Sequence, residues 1–580
     1  MVWPGWGNYR LSVTERSTTA IDAIADAYTN RLAELDPLAA TEMGISGHDH
    51  QMTDLSPDGH AEQASLSRST LAKLATVEPA DAVDRVTVAA MTDRLKLDLE
   101  LHEAGEYLAQ LNVIASPLQG LRDVLDIMPT ATTDDWANIA SRVSRVPEAI
   151  HGYIESLREG ARRGIVPAQL QVNEGIKQAA ELADPKSSFF VTFTSGASPD
   201  GAPAAGGLAN DLAMAGRKAA AAYGQLVDFL SGELAASAPA EDAVGRDRYA
   251  LWSQEFVGAA VDLDETYEWG LEELARMAAE QDRIVREIAG PGATIEDAIR
   301  KLETDPGRVL HGTAALREWM QATADEAIAA LDGVHFDLAE QLKTIECMIA
   351  PTENGGIYYT GPSDDFTRPG RMWWSVPPGV TEFSTWREKT TVYHEGVPGH
   401  HLQVAQTAYR SELLNRWQRL MCWVSGHGEG WALYAERLMD ELGYLDDPAD
   451  KLGMLDAQAF RAARVVIDIG MHLQLEIPAD NPFGFHPGET WDPDLALEFL
   501  RDHCAMEDAF LRFEVDRYLG WPGQAPSYKV GERIWLDARA QAQSRAAAAG
   551  RAFDLKSFHR QALDLGALGL EPLQKALARL

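Results

Sequence analysis

Along most of this chain, apolar residues recur at the three-to-four-residue spacing of helices buried on one face. Ile21, Ile24, Tyr28, Leu32 and Leu35 form one such stripe, and Asp36-Pro37 is expected to end it. A second stripe starts behind Thr132-Thr133-Asp134-Asp135, a helix-start signal. It runs through Trp136, Ile139, Val143, Val146, Ile150, Tyr153 and Leu157. Pro147 lies inside this stripe and predicts a kink or a break, and Gly164-Ile165-Val166-Pro167 predicts its end. Residues 195–207, SGASPDGAPAAGG, form a small-residue loop, read as a plain connection ahead of a lid. Residues 211–230 are Ala-rich and helical, and residues 262–286 are helical with mixed charge on the outer face. Strand character gathers at residues 356–361 and 371–376, two β-prone runs separated by the turn-rich PSDDFTRPG. Helical patterning returns at 455–475 and 495–519, with a loop at 478–493 between them. A further loop at 520–531 opens a last pair of helices. The expectation is a mainly α protein with a small sheet, one unit over 1–580. Its helical N-terminal half spans about 15–350 and its second half about 351–580.

That second half contains the one stretch dense in reactive groups, Tyr393-His394-Glu395-Gly396-Val397-Pro398-Gly399-His400-His401-Leu402-Gln403. Neutral imidazole is the commonest metal-binding side chain, and a Glu directly after a ligand His is placed to act as a general base. The pattern H-E-x-x-H puts two imidazoles one helical turn apart, but here Pro398 occupies the second position. On a straight helix His394 and His401 would face the same way yet stand about 10 Å apart, too far to share one ion. Pro398 deletes a backbone hydrogen bond and Gly399 relaxes the chain. A π-bulge or a break at this point would bring His400 to the second ligand position. His401 then faces away as a supporting group, or stands as the alternative ligand. The plainer reading is a loop with incidental histidines. Downstream, Glu429-Gly430-Trp431-Ala432 resembles the Glu-Gly-aromatic-Ala signature that supplies the third zinc ligand in glutamate-type zincins. Two His and one Glu leave a coordination position open, which is the catalytic arrangement.

Composition narrows the function further. The formal net charge is −37, from 88 acidic and 51 basic residues, which disfavours nucleic acid as a partner. The excess is read as a solubilising surface spread along helices. The cysteines Cys347, Cys422 and Cys504 are far apart and form no C-x-x-C, as in a reducing compartment. Met1-Val2-Trp3-Pro4-Gly5-Trp6 has no basic segment followed by an apolar run, so no secretory leader is expected, and no apolar run is long enough to span a bilayer. The expectation is therefore a cytoplasmic protein with no membrane partner.

Taken together, HEGVPGHHLQ at 394–403, GEGWALYAERL at 428–438, RAARVVIDIGMH at 461–472, PGQAPSYKVG at 522–531 and FDLKSFHRQALDLGALGL at 553–570 resemble the bacterial family known as domain of unknown function 885. That family is similar to helical zincin metallopeptidases of the Taq-type carboxypeptidase kind. The resemblance implies one large helical zincin-like fold with a small β-sheet at the active-site cleft. It also implies a zinc-dependent hydrolase of peptide bonds, carboxypeptidase-like or otherwise exopeptidase. One Zn²⁺ would sit on His394, His400 and Glu429, with Glu395 as general base. Tyr528 and then His472 are the candidates for stabilising the oxyanion. Arg461, Arg464 and Lys529 are candidates for a substrate carboxylate, and Tyr358 and Tyr359 for an edge strand that pairs with extended peptide. Each has a structural alternative: a core histidine, a buried ion pair, a hairpin whose aromatics are core. The rival functions are a metal hydrolase of a small non-peptide amide and an inactive binding protein on the same fold.

Overall fold

Residues 16–350, 356–363 and 366–579 are described by a computed structural model. The N-terminal residues read above for a leader lie outside them. The first apolar stripe is the helix Ala20–Leu35, started by a reciprocal cap in which the Thr19 side chain accepts from the Asp22 backbone and the Asp22 side chain answers. Asp36 ends it and caps the next helix, Pro37–Glu42. Pro147 produces a break rather than a kink. The helix Thr133–Ser144 stops, and Val146–Arg163 restarts with the proline in its first turn, where a missing N–H costs nothing.

The fold is mainly helical, with two small sheets among the described residues. β1 (Val309–His311) pairs antiparallel with β5 (Glu382–Ser384). β2 (Ile345–Ile349), β4 (Gly370–Trp374) and β3 (Ile357–Thr360) form the second sheet in the order β2-β4-β3. β3 and β4 are the antiparallel pair expected from sequence, with Tyr358 opposite Trp373 and Tyr359 opposite Met372. β2 was not legible, because it is a short run that joins β4 in parallel across the intervening β3, with no tight turn to signal the pairing.

Two further expectations are corrected. Residues 495–519 form two helices, Pro493–His503 and Asp508–Gly520. Between them the backbone at Ala505 is held by Arg387 (2.6 Å) and by Asp456 (3.4 Å), tertiary partners that outweigh local helix preference. The loop after residue 520 is shorter than expected. Its helix begins at Ser527, so Tyr528 and Lys529 lie in the first turn of Ser527–Ala548. Two helices follow, Leu555–Leu563 and Leu570–Leu577.

The apolar core has two main parts. One gathers side chains between Leu55 and Leu234. The larger runs from Ile21 to Leu577 and surrounds the His-Glu stretch, so both halves of the chain contribute to it. The helices Ser425–Glu441 and Ser527–Ala548 cross where Gly430 meets Gly531. A Cβ on Gly430 would lie 2.5 Å from the Gly531 Cα, so only glycine permits this approach. That crossing sets Glu429 and Tyr528 on neighbouring turns of two packed helices. No described helix is long and apolar enough to cross a membrane.

Candidate metal centre

The helix Thr385–Glu395 ends on the reactive pair His394-Glu395, and a new helix, His400–Tyr409, begins at His400. Of the two distortions considered, the chain uses the break. Gly399 N–H donates to the Tyr393 carbonyl at 3.1 Å. A Cβ on Gly399 would lie 1.9 Å from the His394 carbonyl oxygen, so the turn closes only with glycine there. From the facing helix, Trp431 Nε1 donates to the Pro398 carbonyl at 2.8 Å and pins the bend.

The bend turns both imidazoles onto one carboxylate. Glu429 Oε2 is 3.3 Å from His394 Nε2 and 3.4 Å from His400 Nε2. One ligand atom from each of the three residues lies within 4.8 Å of the others. Ligands ~2.0–2.1 Å from a tetrahedral zinc stand about 3.3 Å apart, so both His–Glu edges have the right length. His401 does not join them. Its Nδ1 is 3.0 Å from the Tyr359 hydroxyl and its Nε2 is 2.9 Å from the Leu342 carbonyl, so His401 ties the bend to β3 and to the chain before β2.

Electrostatics reinforce this grouping. Burial opposes charge on His394, but its bonds to Glu429 and Glu436 outweigh that and raise its pKa to about 10. Burial likewise opposes charge on Glu429, yet the His400 and His394 rings hold it well below the carboxylate range. Glu395 differs. It is 5% exposed, its Oε2 has no hydrogen-bond partner, and burial pushes its pKa up even though both imidazoles pull it down. A basic, unpaired carboxylate oxygen beside the ligand set is placed to take a proton.

Glu436 was not read from the sequence. Its Oε1 lies 2.8 Å from His394 Nδ1, and its Oε2 accepts from the Thr390 hydroxyl at 2.7 Å. It therefore fixes which His394 nitrogen faces Glu429, as carboxylates behind metal-binding histidines do. The available signal was spacing: Glu436 is seven residues after Glu429, two turns along one helix face.

The remaining sequence candidates divide sharply. Tyr528 is near the cluster: burial raises its pKa first, and the Glu429 charge adds to that. The Arg464 guanidinium stands 5.1 Å from its ring. Arg461 is half-buried and, among the described residues, donates only to the Ala457 carbonyl at 3.2 Å and has an unpartnered Nε. Its charge is felt by Glu395 and by Tyr528. By contrast Arg464 is spent on Glu514 (2.7 Å) and the Tyr518 hydroxyl (2.7 Å). Lys529 is 1% exposed and committed to Glu532, Gln458 (2.5 Å) and Glu273 (3.0 Å). All three Lys529 donors are taken, and Arg464 is buried against Glu514 and Tyr518, so the structure places both as buried structural cations. The structure places His472 in the core: it is fully buried against Tyr249, its Nε2 sits 2.9 Å from the Tyr518 carbonyl, its Nδ1 has no hydrogen-bond partner among the described residues, and burial lowers its pKa to about 4. Tyr359 is held by His401, whereas Tyr358 is exposed and stacked on Trp373, on the edge strand β3. His427 packs on Trp535, and burial lowers its pKa to about 3.

Residues 37–577 match the family model described as a bacterial protein of unknown function, DUF885. A search of curated proteins finds no match. Among solved structures, one described as "the putative lipoprotein from Colwellia psychrerythraea" superposes with a TM-score of 0.81 at 22% identity, covering 96% of this chain and 98% of its own. Another, described as "a putative lipoprotein of unknown function from Shewanella oneidensis", gives 0.72 at 16% identity, covering 96% and 99%. At these identities the likeness concerns the fold.

Proposed function

The chain belongs to the DUF885 family of bacterial proteins, and from that starting point we propose that it is a metal-dependent hydrolase of peptide bonds. The observation that carries this reading is the convergence of His394, His400 and Glu429 on one point, with the unpaired buried oxygen of Glu395 next to it. Two imidazoles and one carboxylate are the donor set that suits a catalytic zinc, so His394, His400 and Glu429 are the residues to hold it. When bound, such an ion contributes Lewis acidity to a scissile carbonyl and acidifies a water.

The protein's own groups account for the rest. Glu395 accepts the proton of the attacking water and returns it to the departing amine. Tyr528 makes no side-chain hydrogen bond among the described residues, and its raised pKa keeps it a donor for the developing oxyanion. Glu436 holds His394 in one tautomer. Arg461, lacking a carboxylate partner among the described residues, is the group to receive the terminal carboxylate of a substrate. This favours an exopeptidase acting from the C-terminal end.

The test uses zinc-loaded wild type and Glu395→Gln on peptides left free, N-blocked or C-blocked, with products read by mass spectrometry. The variant is expected to keep its metal and lose at least about 10²-fold in turnover. C-terminal amidation is expected to abolish cleavage. Cleavage of none of the peptides by the wild type, or a variant that keeps most of its turnover, would overturn the proposal.

A further inference from the structure

Among the described residues, Trp423 is the one tryptophan that is exposed, at 51%. A large aromatic surface left in water forgoes the burial that stabilises every other indole described here, so its position needs a reason. It is not on a loose tip. Its neighbours Cys422 and Val424 are buried at 3% and 2%. Its ring centroid lies 5.9 Å from that of His400. Behind it runs the first turn of Ser425–Glu441, the helix that carries Glu429. There Gly428 leaves room for the indole: a Cβ on Gly428 would lie 2.2 Å from the Trp423 ring. The residue before a candidate metal ligand is thus reduced to hydrogen so that an indole can lie across it. This seat fixes one side of the ring against the centre and leaves the rest open to whatever approaches it.

We propose that Trp423 is the platform for the substrate side chain next to the scissile bond, and that the site selects large apolar, above all aromatic, residues there. Trp423 is then a specificity-determining residue that touches substrate without taking part in proton transfer. The physical basis is burial of apolar area together with ring-on-ring contact, which favour a phenyl over a methyl group at such a surface. With His400 among the residues that would hold the ion, a carbonyl positioned there would have its side chain beside the indole, and a near-attack geometry requires both to be held. This inference rests on the proposed metal centre, and its test is chosen so that the two can fail separately.

The probes are the hydroxamates of L-phenylalanine and L-alanine, which share one metal-chelating head and differ in side chain. Their binding to the zinc-loaded protein is followed by intrinsic tryptophan emission and by calorimetry, with no turnover needed. Wild type is expected to bind the phenylalanine compound about tenfold more tightly. Trp423→Ala is expected to reduce that preference below about twofold while the zinc content stays at the wild-type level. Trp423→Phe, which keeps an aromatic face, should retain most of the preference. Equal affinities in wild type, or a preference that survives in Trp423→Ala, would overturn the proposal. So would a Trp423→Ala protein that loses both ligands and the metal together, since the residue would then be a structural prop. A phenyl preference carried by Trp423 in a protein that cleaves no peptide would leave the platform standing and remove the hydrolase.

Discussion

Which side chains of this protein are free and which are already engaged decides its chemistry. Sequence reads that poorly. His394, Glu395, His400 and Glu429 could be picked out because they sit in two short stretches with recognisable spacing. Arg464, Lys529 and His472 looked equally reactive in one dimension. Their partners, Glu514, Gln458, Glu273 and the Tyr518 carbonyl, are scattered across other elements, and a linear pattern does not report them. Glu436 is the opposite case, a residue with no reactive look that holds a reactive one. Its bond to His394 Nδ1 carries a residue-scale prediction. Glu436→Gln should weaken zinc binding by about 10–100-fold, because the imidazole loses the charge that orients it and raises its basicity. Competition titration against a chromophoric chelator measures this, and an unchanged affinity would remove Glu436 from the support of the centre.

At the scale of elements, the site is made by interrupting a helix. Pro398 signalled the interruption in the sequence. The choice between bulge and break was not legible, because it depends on what receives the freed backbone groups. Trp431 from a facing helix takes the Pro398 carbonyl, and Gly399 closes the turn onto Tyr393. The choice of His400 over His401 follows, since the helix that restarts at His400 points His401 at Tyr359 and Leu342. Gly399→Ala tests this device. Its Cβ would meet the His394 carbonyl, which is backbone and has nowhere to move. The variant should lose on the order of 2 kcal/mol or more of stability and most of its zinc affinity, read by urea denaturation and metal titration. A variant with wild-type stability and full zinc content would mean that the turn does not set the ligand geometry.

At the scale of the whole molecule, most of the helical architecture was legible because an amphipathic stripe is a local property. Ile21 to Leu35 and Trp136 to Leu157 describe their own buried faces, and the predicted helices formed on them. The parallel pairing of β2 with β4 and the division of 495–519 into two helices are tertiary outcomes, invisible to periodicity. Acidic residues appear partly in solvent-facing ion pairs along helices, as where Arg286 meets Asp282 one turn away. Such pairs act on solubility more than on stability. A likeness of fold that persists at 22% and 16% identity fits an architecture set by apolar patterning, and the proposed metal centre occupies a few residues at one helix break. Those residues can be examined directly by diffraction from zinc-loaded crystals at the zinc absorption edge. The account predicts a single strong anomalous peak about 2.0–2.2 Å from His394 Nε2, His400 Nε2 and a Glu429 carboxylate oxygen. No peak at that point, or a peak held by other residues, would contradict it.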